Sequence, residues 1–162
     1  MSAGTEAPNS SASPTADREI VMSRTFAAPR ELVWKAWTEP EHVQHWYGPR
    51  GFTITMLEMD VRPGGRWRFI MHGPDGTDWP NRVEYVKVEK PELLVALHGS
   101  DIDDDPMAFE QIVRLTESGG LTTVTNHIIF RTAEQRQASE GFGAVELGHQ
   151  TLEKLEEYVA RM

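Results

Sequence analysis

Two hydrophobic periods divide the chain, and the points where one gives way to the other mark its elements. Residues 18–26 read as a strand, and residues 27–29 as a turn. Pro29 suits a helix start, where a missing N–H costs nothing. Val33, Trp34 and Trp37 follow at helical spacing, which predicts a helix over residues 30–38. Pro40 opens a second short helix to about Trp46, and Gly48, Pro49 and Gly51 stop it.

Alternation then takes over. Residues 52–61 form the first strand of a run, and Pro63, Gly64 and Gly65 make a turn. In residues 66–72, Trp67, Phe69 and Met71 fall on one face and Arg66 and Arg68 on the other, the period-2 pattern of a half-buried strand. Residues 73–76 compose a hairpin turn. Two strands, residues 81–89 and 93–98, flank Lys90 and Pro91. After an acidic loop at 100–106, residues 109–116 place Phe109, Gln111, Val113 and Leu115 inward. Residues 121–130 do the same with Val124, Asn126, Ile128 and Phe130. From residue 133 to 161 the period is helical, with Phe142, Val145, His149, Leu152, Leu155 and Val159 near one stripe. Gly141, Gly143 and Gly148 interrupt that stripe and predict a separate or kinked first part. An antiparallel sheet must bury one face, and the C-terminal helix is the element available to cover it. The predicted class is α+β.

Composition narrows the chemistry. The 162 residues fit one domain, residues 18–162, behind a tail at 1–17 rich in Ser, Ala, Pro, Thr and Gly, which is expected to be disordered. No cysteine is present, so disulfides, thiolate nucleophiles and cysteine-based zinc sites are excluded; the absence fits a reducing cytoplasm. The net charge of -9 opposes binding to nucleic acid or an anionic membrane surface. No apolar run approaches the ~20 residues of a membrane span, and the first residues lack the pattern of a signal peptide.

Most chemical motifs fail on spacing. His42 and His45 could share a helix face for a metal, but no third ligand follows, and no metal is expected. The run Asp101 to Asp105 lacks the glycine and glutamate of a calcium loop, since Pro106 and Ile112 occupy those positions; it reads as a solvated loop at the mouth of the fold. The paired glycines 64–65 and 119–120 open no phosphate-binding helix, and no serine sits in a nucleophile elbow. Gln111, Asn126 and His149 are polar groups on inward positions. They need partners from the interior or from a ligand, because an unsatisfied buried polar group costs about 1–3 kcal/mol. Glu146 lies one turn from His149, close enough to suggest an acid–base pair. Gly148 either leaves space beside the sheet or allows close packing.

Several of these segments resemble a known family. The Ala-Pro-Arg-Glu-Leu-Val-Trp helix entry at 28–34, the Trp-Tyr-Gly-Pro loop at 46–49, the Pro-Gly-Gly-x-Trp strand entry at 63–67 and the closing segment at 140–159 resemble the family named after the activator of the ATPase of the ninety-kilodalton heat-shock chaperone, within the START-like (SRPBCC) superfamily. The resemblance runs from about Arg18 to the end. It implies a helix-grip fold with a pocket between a curved sheet and a long helix. A 162-residue chain leaves no room for the separate chaperone-binding domain of the eukaryotic activator, so the resemblance implies the pocket before the co-chaperone role.

The expected function is non-catalytic binding of a small apolar molecule, with no cofactor. The expected site is Trp37, Trp46, Trp67, Phe69, Phe109, Asn126, Phe142, Val145 and His149, the aromatics giving shape and Asn126 with His149 orienting one polar group. The alternatives are a chaperone partner, and a polyketide cyclase- or hydrolase-like enzyme using His149. A monomer or a homodimer paired through a sheet edge is expected.

Overall fold

The computed structural model describes residues 14–162. Most of the expected tail lies outside the described residues; its last part forms a 3-10 turn at Ala16–Arg18 that leads into the sheet. The order is β1 (Glu19–Phe26), α1 (Arg30–Thr38), α2 (Pro40–Val43), β2 (Thr53–Met59), β3 (Arg66–His72), β4 (Asp78–Glu89), β5 (Leu93–Ser100), β6 (Phe109–Ser118), β7 (Leu121–Ile129), α3 (Ala133–Gly141) and α4 (Ala144–Val159). The seven strands form one antiparallel sheet in the order β1-β7-β6-β5-β4-β3-β2. This is the α+β helix-grip expected from the sequence.

The sheet curls because bulges bend it. Register shifts between Met56 and Glu58 and between Tyr85 and Lys87, and each leaves its extra residue, Leu57 or Val86, exposed. The inward rows are those the alternation assigns. Trp67 and Phe69 on β3, Val113 and Leu115 on β6, and Val124 on β7 are buried. Three strands run further than the sequence suggests, β6 by two residues to Ser118. β4 starts at Asp78 and includes Pro80, which pairs with Ile70 just before β5 joins at Asn81, so its missing N–H breaks no central ladder. β5 continues to Ser100 opposite Asn81.

Two packed regions close the concave face. At one end α1, α2 and the turn after them contribute Val33, Trp34, Trp37, Val43 and Trp46, all buried. Trp46 is 1% exposed and donates its indole N–H to the Ala36 carbonyl at 2.8 Å, tying the loop after α2 to the last turn of α1. That carbonyl lies among those a helix C-terminus leaves unpaired. Across the sheet, α4 buries Leu152, Leu155 and Val159. Its outer face is held by Arg24 of β1, which reaches Glu156 at 2.7 Å, and by Arg50, which reaches Glu157 at 2.7 Å.

The C-terminal helical segment is two helices. Gly143 separates them with φ +91°, a left-handed conformation that a side chain would strain. The outcome for Gly148 is close packing: a Cβ there would lie 2.3 Å from the Met22 sulfur on β1.

Replacing Trp46 by alanine removes a filled volume and a buried hydrogen bond together. Trp46→Ala is expected to cost about 3–5 kcal/mol in urea unfolding, whereas Trp79→Ala, at a half-exposed position, costs under about 1 kcal/mol.

Candidate functional site

Between the first half of α4 and the sheet, beside the contact of Gly148 with Met22, lies a cavity of about 510 Å³. Its walls come from α4 (Ala144, Leu147, Gly148, Thr151), from the loop after α2 (Tyr47, Phe52), and from the inward rows of β1 and β3–β7. The walls are mostly apolar. Trp79, Met107 and Phe142 line it while remaining largely solvent-exposed, which puts them at the rim.

One polar row crosses this apolar floor. On four neighbouring strands it joins Asn81, His98, Gln111 and Asn126. Asn81 Oδ1 lies 2.8 Å from His98 Nε2, and His98 Nδ1 lies 3.3 Å from Gln111 Oε1. Gln111 Nε2 donates to Asn126 Oδ1 at 3.1 Å. Phe69 and Phe109 close over the two sides of His98, with ring centroids at 6.0 and 5.1 Å. Burial there pushes the His98 pKa down from 6.5 to about 4, with the Gln111 hydrogen bond acting against it, so the ring is neutral near pH 7. A neutral imidazole has one N–H to offer. Asn81 Nδ2 is engaged with the Trp79 carbonyl, so Asn81 Oδ1 is the acceptor and the proton sits on Nε2. Half-turns of the Gln111 and Asn126 amides would then satisfy the bare Nδ1 and leave Asn126 Oδ1 turned toward the cavity. Beside the row, burial raises the Tyr47 pKa to about 12, with Gln111 acting the other way, and the phenol keeps its proton.

Four of the residues expected from the sequence meet at the cavity: Trp37, Phe109, Asn126 and Phe142. Trp46, Trp67 and Phe69 instead form the packed floor, with Trp67 stacked on Phe69 at 4.1 Å and Trp46 edge-on to Trp37 at 4.9 Å. Val145 is exposed and, with His149, lies outside the cavity lining. The stripe read in the sequence holds at Leu152, Leu155 and Val159, which are buried, whereas in the first half of α4 the inward positions are 144, 147, 148 and 151, about one residue away from Val145 and His149. Gly148 faces Met22 on that side of the helix. Glu146 accepts from Gln150 at 3.3 Å. His42 contacts the Tyr158 hydroxyl at 2.8 Å, and His45 stacks on the same ring, so both pack α2 against α4.

Sequence reasoning missed Asn81, His98 and Tyr47. His98 was legible, since it continues the alternation of Leu94 and Ala96 on β5. The acidic loop is also more ordered than its composition suggests. Asp101 sits between Arg68 and Arg82 at 2.9–3.0 Å, and those hydrogen bonds hold its carboxyl below the usual range. Asp105 turns inward and accepts from the backbone of Ser100 and Met107.

The depressed His98 pKa makes stability depend on pH. Between about pH 6.5 and 4 the unfolded chain takes up a proton that the native protein does not, so stability falls as pH falls through that window. At pH 5 the loss from this group is about 2 kcal/mol. In His98→Gln the difference in unfolding free energy between pH 7 and pH 5, read from urea titrations, is expected to shrink by about that amount.

The sequence profile of the family described as "Activator of Hsp90 ATPase homolog 1-like protein" matches residues 27–160. A comparison with curated protein sequences finds no match. Among solved structures, a protein of Nitrosomonas europaea superposes with a TM-score of 0.82 at 26% identity, covering 90% of this chain and 96% of its own. A protein of Mycobacterium smegmatis gives 0.82 at 24% identity, covering 91% and 94%. The AHSA1 protein of Silicibacter pomeroyi gives 0.71 at 20% identity, covering 88% and 97%. These likenesses share one fold, and the profile spans most of the chain: it belongs to the family of proteins similar to the activator of Hsp90 ATPase homolog 1, with the START-like helix-grip fold.

Proposed function

We propose that the protein binds a small, mostly apolar molecule between the sheet and the first half of α4, without catalysing its conversion. The observation that carries this reading is the cavity itself. It has the volume of a small-ligand site, apolar walls and one convergent row of polar groups. A void of that size inside a tightly packed fold forfeits dispersion contacts along its lining, and a ligand would restore them. Trp37 and Phe109 give the ligand apolar surface, Phe142 sits where it enters, and Asn126 offers the polar contact.

The family description favours a second reading, binding to a chaperone and modulating its ATPase. That role needs no cavity. An enzymatic role through His149 has less support, because His149 lies outside the cavity lining and Glu146 bonds Gln150. The described helices include none long and apolar enough to cross a membrane.

Native mass spectrometry of the freshly purified protein, beside a denatured sample, is expected to show a bound small molecule that leaves on denaturation. Ala144→Trp puts an indole into the cavity from α4. It is expected to reduce binding of the uncharged apolar dye N-phenyl-1-naphthylamine at least ~10-fold while changing unfolding free energy by less than about 1.5 kcal/mol. Unchanged dye binding in this variant, with an apo mass for the wild type and chaperone turnover that responds to the protein, would replace this reading with the second.

A further inference from the structure

If the cavity is a ligand site, its charges say what kind of head group it admits. Among the described residues lining it there is no Lys or Arg, and the one acid is Asp105. Both Asp105 oxygens are engaged, Oδ2 with Ser100 N at 2.8 Å and Oδ1 with Met107 N at 2.9 Å. Cations near the rim are committed elsewhere. Lys154 donates to the Pro49 carbonyl at 3.2 Å, and Arg50 pairs with Glu153 and Glu157. His98, the remaining candidate for positive charge, is kept neutral near pH 7 by burial.

A carboxylate or phosphate entering this space would lose its hydration without gaining a counter-charge, and Asp105 would repel it. An ammonium would lose its hydration too, and would have to compete with two backbone N–H groups for Asp105. The polar row offers something different. Asn126 Nδ2 has no partner among the described residues, and a half-turn of the amide would present Oδ1 in its place. A hydroxyl group donates and accepts, so it answers either orientation. The aromatic lining, with Trp37, Phe52, Phe109 and Phe142, suits a flat apolar body.

We propose that the cavity selects an uncharged molecule with a largely aromatic body and a hydroxyl group, the hydroxyl docking on Asn126.

Four probes share one ring system and differ only in the head: 2-methylnaphthalene, 2-naphthalenemethanol, 2-naphthoate and 2-naphthylmethylammonium. Each is titrated near neutral pH and followed by protein-observed NMR. The alcohol is expected to bind about tenfold more tightly than the methyl compound and at least ~10-fold more tightly than either ion. Asn126→Leu, or Asn126→Ala should the leucine variant not fold, is expected to abolish the alcohol's advantage over the methyl compound and leave the methyl compound within about twofold. Naphthoate or the ammonium binding as tightly as the alcohol would overturn the charge selection while leaving the cavity a ligand site. An alcohol advantage that survives at position 126 would overturn the assignment to Asn126. Failure of all four to bind would remove the ligand-binding reading, and this inference with it.

Discussion

A sheet curled to one side has a concave face that must leave water, and this chain has little with which to fill it. Seven strands at about 4.8 Å spacing span roughly 29 Å, while one helix is about 10 Å across. The short helices α1 and α2 fill one end with Trp37 and Trp46. The second half of α4 fills another part with Leu152, Leu155 and Val159. What neither covers is the cavity. The mismatch between a wide concave sheet and a single covering helix therefore accounts for the packed floor, the open space above it and the rim residues that stay exposed.

Two electrostatic regimes follow from that geometry. Outside the grip, charged side chains meet in pairs. Arg24 and Arg50 fasten α4 through exposed pairs, which contribute little individually and fix where the helix lies. Arg68 with Arg82 fastens the acidic loop through Asp101, and there Arg82 and Asp101 are mostly buried. Inside, the low dielectric reverses the preference. Histidine is held neutral, tyrosine keeps its proton, the row across the floor joins amides to that neutral imidazole, and the carboxylate in the lining, Asp105, accepts from two backbone N–H groups. The interior row is satisfied mainly within itself, which lets a polar feature persist in an apolar site without an ion.

His98 and His149 differ in how far the local pattern fixes where a side chain points. The strands of the sheet have a period of two, and a correct reading of one inward residue fixes the rest of that strand; Asn126 and Gln111 were readable for that reason, and His98 by extension of Leu94 and Ala96. A helix has no such rigidity. One residue is 100° of rotation, so a stripe that includes Leu152 and Leu155 tolerates a shift that carries His149 off the cavity and brings Leu147 and Gly148 onto it. Asn81 lay beyond reach for a different reason: it sits at a strand start blurred by Pro80, and its role appears only when β4 and β5 are paired. Trp46, Trp67 and Phe69 were legible as buried aromatics, but their burial alone does not say whether they face a cavity or a neighbour.

The sequence by itself determined the class and order of elements, the inward rows of the strands, the family and the absence of cysteine chemistry. The elements, inward rows and missing cysteine chemistry depend on periodicity, turn residues and composition, and the family on the resemblance of short motifs, all of which are local. Only the tertiary structure decided that a cavity exists, which residues reach it, and that its one histidine is neutral. Those depend on the distance between α4 and the sheet, set by a glycine on one element against a methionine on another, and on burial contributed by residues far apart in the chain. Nonlocal packing determines volume and dielectric, and no local pattern encodes either.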